Sequence, residues 1–117
     1  VTDFTITRGD TIGLNVAVSA GGTVYPLVGV KMWFTAKNSY NDPDSSAVFQ
    51  KTIGSGIVIT NTTLGLATVT IDPTDTYGLP SSKTLLVYDL QVEDASGNVY
   101  TVASGNLIVL PDVTRST

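Results

Sequence analysis

The sequence predicts an all-β fold, an antiparallel β-sandwich of about seven or eight strands, and three observations predict it. Apolar residues alternate with polar ones at period two along several segments, and no sustained helical period appears. Turn signals built from Gly, Pro, Asn and Asp recur roughly every ten residues. The third observation is size: 117 residues are enough for one domain whose single core needs neither disulfide nor metal.

The elements follow in order. Arg8-Gly9-Asp10 reads as a turn between two short strands. Ile12, Leu14, Val16 and Val18 then alternate with polar or small residues and form one face of a strand. Ala20-Gly21-Gly22 turns the chain into a short strand at Thr23 to Tyr25. Pro26 and Gly29 lead on to a strand from Val30 to Lys37. There Val30, Met32, Phe34 and Ala36 face the core, and Lys31, Trp33, Thr35 and Lys37 face away. Asn38 to Ser46 is a polar loop. Strands are expected at Ala47 to Thr52, Gly56 to Thr60 and Leu66 to Ile71, the last two joined through Asn61 to Gly65. Asp72-Pro73-Thr74-Asp75 combines an N-cap acid, a proline at the first helical position and an acid three residues after the cap. It predicts one short helical turn near residues 73–77. Long strands follow at Thr84 to Glu93 and Val99 to Leu110, joined by Asp94 to Asn98. Gly105 inside the last strand predicts a bulge or bend.

This strand pattern favours an immunoglobulin-like Greek key, with Tyr88 and Leu90 on the strand that follows the helical turn. Residues 1–110 read as a single domain, and 111–117 as a tail that is either disordered or docked on a neighbour.

Composition narrows the function. Cysteine and histidine are both absent, which removes thiol nucleophiles, imidazole acid-base chemistry and Cys/His metal sites. Charged residues make up only 14% of the chain; 18 Thr and 10 Ser supply a neutral polar surface instead. The net charge is −4, with four Lys and two Arg scattered along the length, so no basic patch is available to neutralise phosphates and nucleic-acid binding is not expected. No long apolar run or basic leader is seen, so neither a membrane span nor a signal peptide is expected.

The residues Arg8-Gly9-Asp10-Thr11, Leu27-Val28-Gly29-Val30, Phe34-Thr35-Ala36-Lys37, Gly56-Ile57-Val58-Ile59, Asp75-Thr76 and Tyr88-Asp89-Leu90-Gln91-Val92 form an ordered series. Asp94 with Gly97, then Gly105, and a closing Val113-Thr114-Arg115 complete it. In this order they resemble the small immunoglobulin-like virion proteins of tailed bacteriophages, a group similar to the N-terminal domain of the phage baseplate upper protein. The resemblance implies a non-enzymatic structural module, found on the virion and in the host cytoplasm during assembly. It would sit in multiple copies in a symmetric assembly against other virion proteins, without cofactor, membrane or nucleic acid. It also implies that Gly9 and Gly29 allow tight turns and that Asp10 and Asp94 bond turn amides. Asp89 would satisfy a strand neighbour or lie at the sheet edge, and Phe34, Tyr88, Gly97 and Gly105 would be scaffold.

Three roles remain open: a tail, baseplate or fibre-attachment module; a head decoration protein on the capsid; or a host-glycan-binding module that stacks aromatics on sugars. Candidate interface residues are Trp33, Lys31, Tyr40 and Arg115. The outward Trp33 either anchors a partner or is covered by its own loop, Asn38 to Ser46, or by the Pro26 segment. Arg8-Gly9-Asp10 also matches an adhesion tripeptide, but the turn reading is favoured. Likewise Asn61-Thr62-Thr63 reads as a hairpin rather than a glycosylation site. The acids Asp42 and Asp44, and Asp72 and Asp75, lack the spacing of a calcium loop and read as turns and a helix cap. Ser82-Lys83 and the Asp pairs do not form a catalytic arrangement.

Overall fold

The computed structural model describes residues 3–20, 22–79 and 82–113. Its strands are β1 (Phe4–Thr7), β2 (Ile12–Ala17), β3 (Ser19–Ala20), β4 (Thr23–Val24), β5 (Lys31–Lys37), β6 (Phe49–Ile53), β7 (Gly56–Asn61), β8 (Leu66–Ile71), β9 (Thr84–Glu93) and β10 (Val99–Leu110). A helical turn, α1 (Pro73–Thr76), sits between β8 and β9, and a short 3-10 turn spans Asp44–Ser46 in the loop after β5. The all-β prediction holds, and β8, β9 and β10 begin and end where the alternation places them.

Eight strands form one sheet in the order β1-β10-β9-β5-β6-β7-β8-β2, while β3 and β4 pair as a separate hairpin. The long sheet folds over on itself, because Ile6 of β1 and Leu14 of β2, from opposite ends of that order, belong to one buried cluster. The runs β2-β8-β7 and β10-β9-β5-β6 follow the strand orders of the two immunoglobulin sheets.

The sheet is mixed, which corrects the purely antiparallel expectation: β1 pairs with β10 in parallel, and so does β6 with β7. The second exception has a local cause. Gly54 and Gly56 adopt φ values of 84° and 106°, which L side chains rarely take, so the chain kinks after β6 instead of closing a hairpin. Only Thr52 with Gly56 and Ile53 with Ile57 pair across this kink, and the chain passes from one run to the other.

The core is lined with aromatic rings. Phe34 stacks on Tyr88 at 5.2 Å and on Phe49 at 6.1 Å, and Tyr88 meets Phe4 at 5.4 Å. Phe4 and Tyr88 sit on β1 and β9, whose backbones are separated by β10 and so by about 9.6 Å. The β10 residue opposite Tyr88 is Gly105, which has no side chain to come between the rings. Gly105 is therefore regularly paired, and the bulge predicted there lies at Val102, between Thr101 and Ala103. Each ring fully buried in this row stabilises the fold by roughly 1.5–3 kcal/mol.

Two polar clusters anchor the ends of the elements. Asp72 caps α1 in a reciprocal capping box with Asp75, as its sequence predicts. Lys51 points inward from β6, in phase with Phe49, and its ammonium reaches Asp75 at 2.7 Å and Asp72 at 3.3 Å. Both acid pairs proposed as calcium candidates thus carry ion pairs, with Asp44 bound to Lys37. At the other cluster Arg8 donates to the carbonyls of Leu79 and Tyr77 and pairs with Asp112 at 3.0 Å. Gly9 sits in the same turn, at φ 83°, with its N–H donated to Thr76 Oγ1. The arginine of the adhesion tripeptide is engaged in the fold, and the first residues of the predicted tail are tied to their own chain through Asp112.

Candidate functional site

The outward side chains of β5 are those the alternation assigns: Lys31, Trp33, Thr35 and Lys37. Pairing sets Trp33 beside Thr52 of β6 and Gln91 of β9, Thr35 beside Gln50 and Asp89, and Lys37 beside Val87. After β5 the loop turns back over this face. Lys37 holds it there, with its ammonium 2.7 Å from the Asp44 carboxylate and donating to the Asp42 carbonyl at 2.8 Å. The result is a cleft of about 500 Å³ lined by Trp33, Thr35, Lys37, Tyr40, Asp44, Gln50, Asp89 and Gln91, together with parts of Val87, Tyr88 and Val99.

Trp33 is half-buried and also borders a second cleft of about 310 Å³ with Val30, Lys31, Met32, Thr52 and Ile53. Local covering by the 38–46 loop is therefore partial: the loop supplies one wall and leaves the indole open to the cleft. Tyr40, 71% exposed, stands at its rim, and Lys31 is exposed at the start of β5. Three of the four candidate interface residues thus gather around two adjoining clefts. Arg115 lies outside the described residues.

Within the cleft the polar groups are unevenly committed. Gln50 Nε2 donates to Thr35 Oγ1 at 3.0 Å, and Gln91 Nε2 donates to Thr101 Oγ1 at 3.4 Å. Asp89 lies on the central strand β9, not at a sheet edge, and its carboxylate makes no side-chain hydrogen bond among the described residues. Burial pushes its pKa above the ordinary value; the nearby charge of Lys37 opposes this and that of Asp44 adds to it. Asp44 moves the other way, held down by its hydrogen bond and ion pair with Lys37.

A second surface forms at one end of the fold. Tyr25, after β4, meets Tyr100 of β10 edge-on at 6.3 Å, and the Cβ position of Gly29 lies 3.9 Å from Ala95. The loop before β5 and the turn after β9 are thereby brought together. Desolvation, then the charge of Asp94 and the neighbouring Tyr100, raise the Tyr25 phenol above its ordinary pKa. Around this junction Val24, Val28 and Tyr100 are 47–70% exposed, while Val99, next to Tyr100 on β10, faces the cleft.

The turn residues behave in detail. Gly29 and Gly97 take positive φ. Asp94 accepts from the main-chain N–H groups of Ser96 and Asn98, and these bonds, with Asn98 first, hold its carboxyl below the usual carboxylate range. Asp10 closes its turn with its main-chain N–H on the Thr7 carbonyl; its carboxylate does not make that bond. Asn61 accepts from Leu64 N–H, as a hairpin residue. Sequence reasoning missed Lys51, although its phase with Phe49 marks it as inward-facing. The end patch was equally missed, because it depends on two loops meeting.

No helix among the described residues is long and apolar enough to cross a membrane. No protein-family model and no curated protein matches the chain.

Proposed function

We propose that the chain is a non-enzymatic assembly module of a tailed-phage virion, placed in the tail, baseplate or fibre attachment, and that it docks on a neighbouring virion protein through the apolar end patch. The patch is the observation that carries this reading. Val24, Val28 and Tyr100 stand exposed around the Tyr25–Tyr100 junction of a chain whose charged fraction is only 14%. Charge-poor surface with exposed aromatic and branched residues is the composition of an interface core. The ordered resemblance to small virion proteins supports the same class. Catalysis is not part of the reading: the two cleft acids do not form an acid-base pair, because Asp44 is ion-paired with Lys37 and its side chain is 73% exposed.

The test is incorporation of a Val28→Ser/Tyr100→Ser variant into particles assembled in the presence of the wild-type chain. The reading expects the variant to keep its melting temperature within a few degrees and to be depleted from particles about tenfold, which corresponds to losing one interface anchor. Equal incorporation would overturn the patch as the docking surface.

A further inference from the structure

We propose that the cleft on the outer face of β5, β6 and β9 is a binding site for a neutral saccharide, with one pyranose stacked on Trp33 and its hydroxyls donated to Asp89, Gln50 and Gln91. The cleft is built from residues other than those of the end patch, and the proposal does not rest on the assembly reading.

The chemistry of the lining selects the ligand. Gln50 and Gln91 each donate one amide N–H to a threonine hydroxyl, Gln50 also hydrogen-bonds Asp44, and both carbonyl oxygens remain as acceptors. Asp89 adds two acceptor oxygens with no hydrogen bond of their own among the described residues. Lys37, the cation of the cleft, is already bound to Asp44 and the Asp42 carbonyl. The uncommitted groups are thus acceptors on Asp89, Gln50 and Gln91 together with donors such as the Trp33 indole N–H and the Tyr40 hydroxyl, a mixture that sugar hydroxyls, each both donor and acceptor, can satisfy. A phosphate or carboxylate ligand would instead meet Asp89 and a chain of net charge −4. Trp33 supplies the other half of the recognition. Its indole is half-buried, so its position is fixed by the sheet, yet it borders the cleft. A flat π surface of this kind packs against the C–H face of a sugar ring, while the ring's hydroxyls point outward to the polar side chains. The volume of about 500 Å³ suits a ligand of one or two sugar units.

Trp33 is the chain's single tryptophan, so its emission reports on the site alone. The experiment is a fluorescence titration of the whole chain with neutral oligosaccharides of glucose, galactose, mannose, rhamnose and N-acetylglucosamine. Sialylated sugars and a lysine-rich peptide form the other arms. Calorimetry follows the variants. The expected result is a saturable emission change with at least one neutral oligosaccharide at a Kd of 1 mM or tighter, to order of magnitude. Asp89→Asn should weaken binding about tenfold, Trp33→Leu should abolish it, and Trp33→Phe should restore part of it. Gln91→Ala, a milder change beside Trp33 on β9, keeps the test decisive should Trp33→Leu misfold; it should weaken binding at unchanged melting temperature. Silence across the neutral panel to about 10 mM, unaltered binding by Asp89→Asn and Gln91→Ala, or a response confined to the anionic sugars or the peptide would each overturn the proposal.

Discussion

The ammonium of Lys51 lies 2.7 Å from the carboxylate of Asp75, and Lys51 itself is only 8% exposed. This contact ties β6 to the start of the helical turn beneath the kink that joins the two strand runs. Gly56 belongs to the same arrangement: a Cβ there would lie 2.5 Å from Lys51 Cδ, so a side chain at 56 and the lysine stem compete for one space.

Removing one partner leaves a mostly buried charge without its closest counterion. Asp75→Ala is expected to destabilise the fold by about 2–4 kcal/mol, the sum of the lost pair and the lost half of the capping box. Lys51→Met keeps the stem and removes the charge, so it should cost less. Burial lowers the Lys51 pKa, but hydrogen bonds and charges from Asp75 and then Asp72 outweigh it and leave the group above its ordinary value. A cation with a raised folded pKa contributes stability that is complete below about pH 10.5 and is lost as pH rises through the folded value. Urea midpoints at about pH 7 and pH 11 check both statements, and Lys51→Met should be insensitive to the difference at this site.

Gly65 and Gly97 both take positive φ, yet their surroundings differ. A Cβ on Gly65 would lie 2.5 Å from the Tyr25 carbonyl oxygen and 2.8 Å from that of Val18, while at Gly97 nothing stands within 4 Å. The close approach at Gly65 accompanies the bonds that clamp the β3–β4 hairpin, with Val18 N–H donated to the Gly65 carbonyl and Tyr25 N–H to that of Val18. Gly97→Ala is expected to cost about 1 kcal/mol, the backbone strain alone, and Gly65→Ala at least twice that. Thermal unfolding of the two variants, side by side, reads the difference.

Gly105 is predicted to tolerate no side chain of size. It lies opposite Tyr88 on the strand between Tyr88 and Phe4. Gly105→Val would favour the extended backbone by propensity and still destabilise the fold by about 1–3 kcal/mol through overpacking, with loss of near-ultraviolet dichroism from the displaced tyrosine.

Burial raises the pKa of Asp89, so the folded chain holds this proton more tightly than the unfolded one. The site's contribution to stability therefore falls as pH rises from about 3.8 through the folded value. Asp89→Asn should melt above the parent at about pH 7, and the gap should close near pH 3. An unchanged difference across that range would show that the carboxylate is as well solvated in the fold as outside it.

Much of this fold is legible in the sequence, because the signals are local. The alternation of Leu86, Tyr88, Leu90 and Val92 marks β9 and its buried face, and Asp72-Pro73 with Asp75 marks the capped turn. Trp33 is assigned to the outward face by parity alone. The cleft around it is not legible in the same way: it requires Gln50, Asp89 and Gln91 to come alongside from β6 and β9, and Lys37 to hold the loop by Asp44. The two parallel ladders escape local reading for a related reason. One depends on the first and last strands meeting, and the other on two glycines turning a hairpin into a kink. Gly105 is marked by its strand context, but a glycine in a strand signals close approach as readily as a bulge, and here it is the close approach of Tyr88 and Phe4 that needs it.

The proposed role puts the chain at fixed positions on a tailed-phage particle. Electron microscopy of purified particles from the chain's source, labelled with gold-conjugated antibody against it, tests this most directly. Gold is expected at discrete, symmetry-related positions on the tail or baseplate. Particles that carry no label while the protein remains in the soluble fraction would contradict it, and label confined to heads would move the module to the capsid.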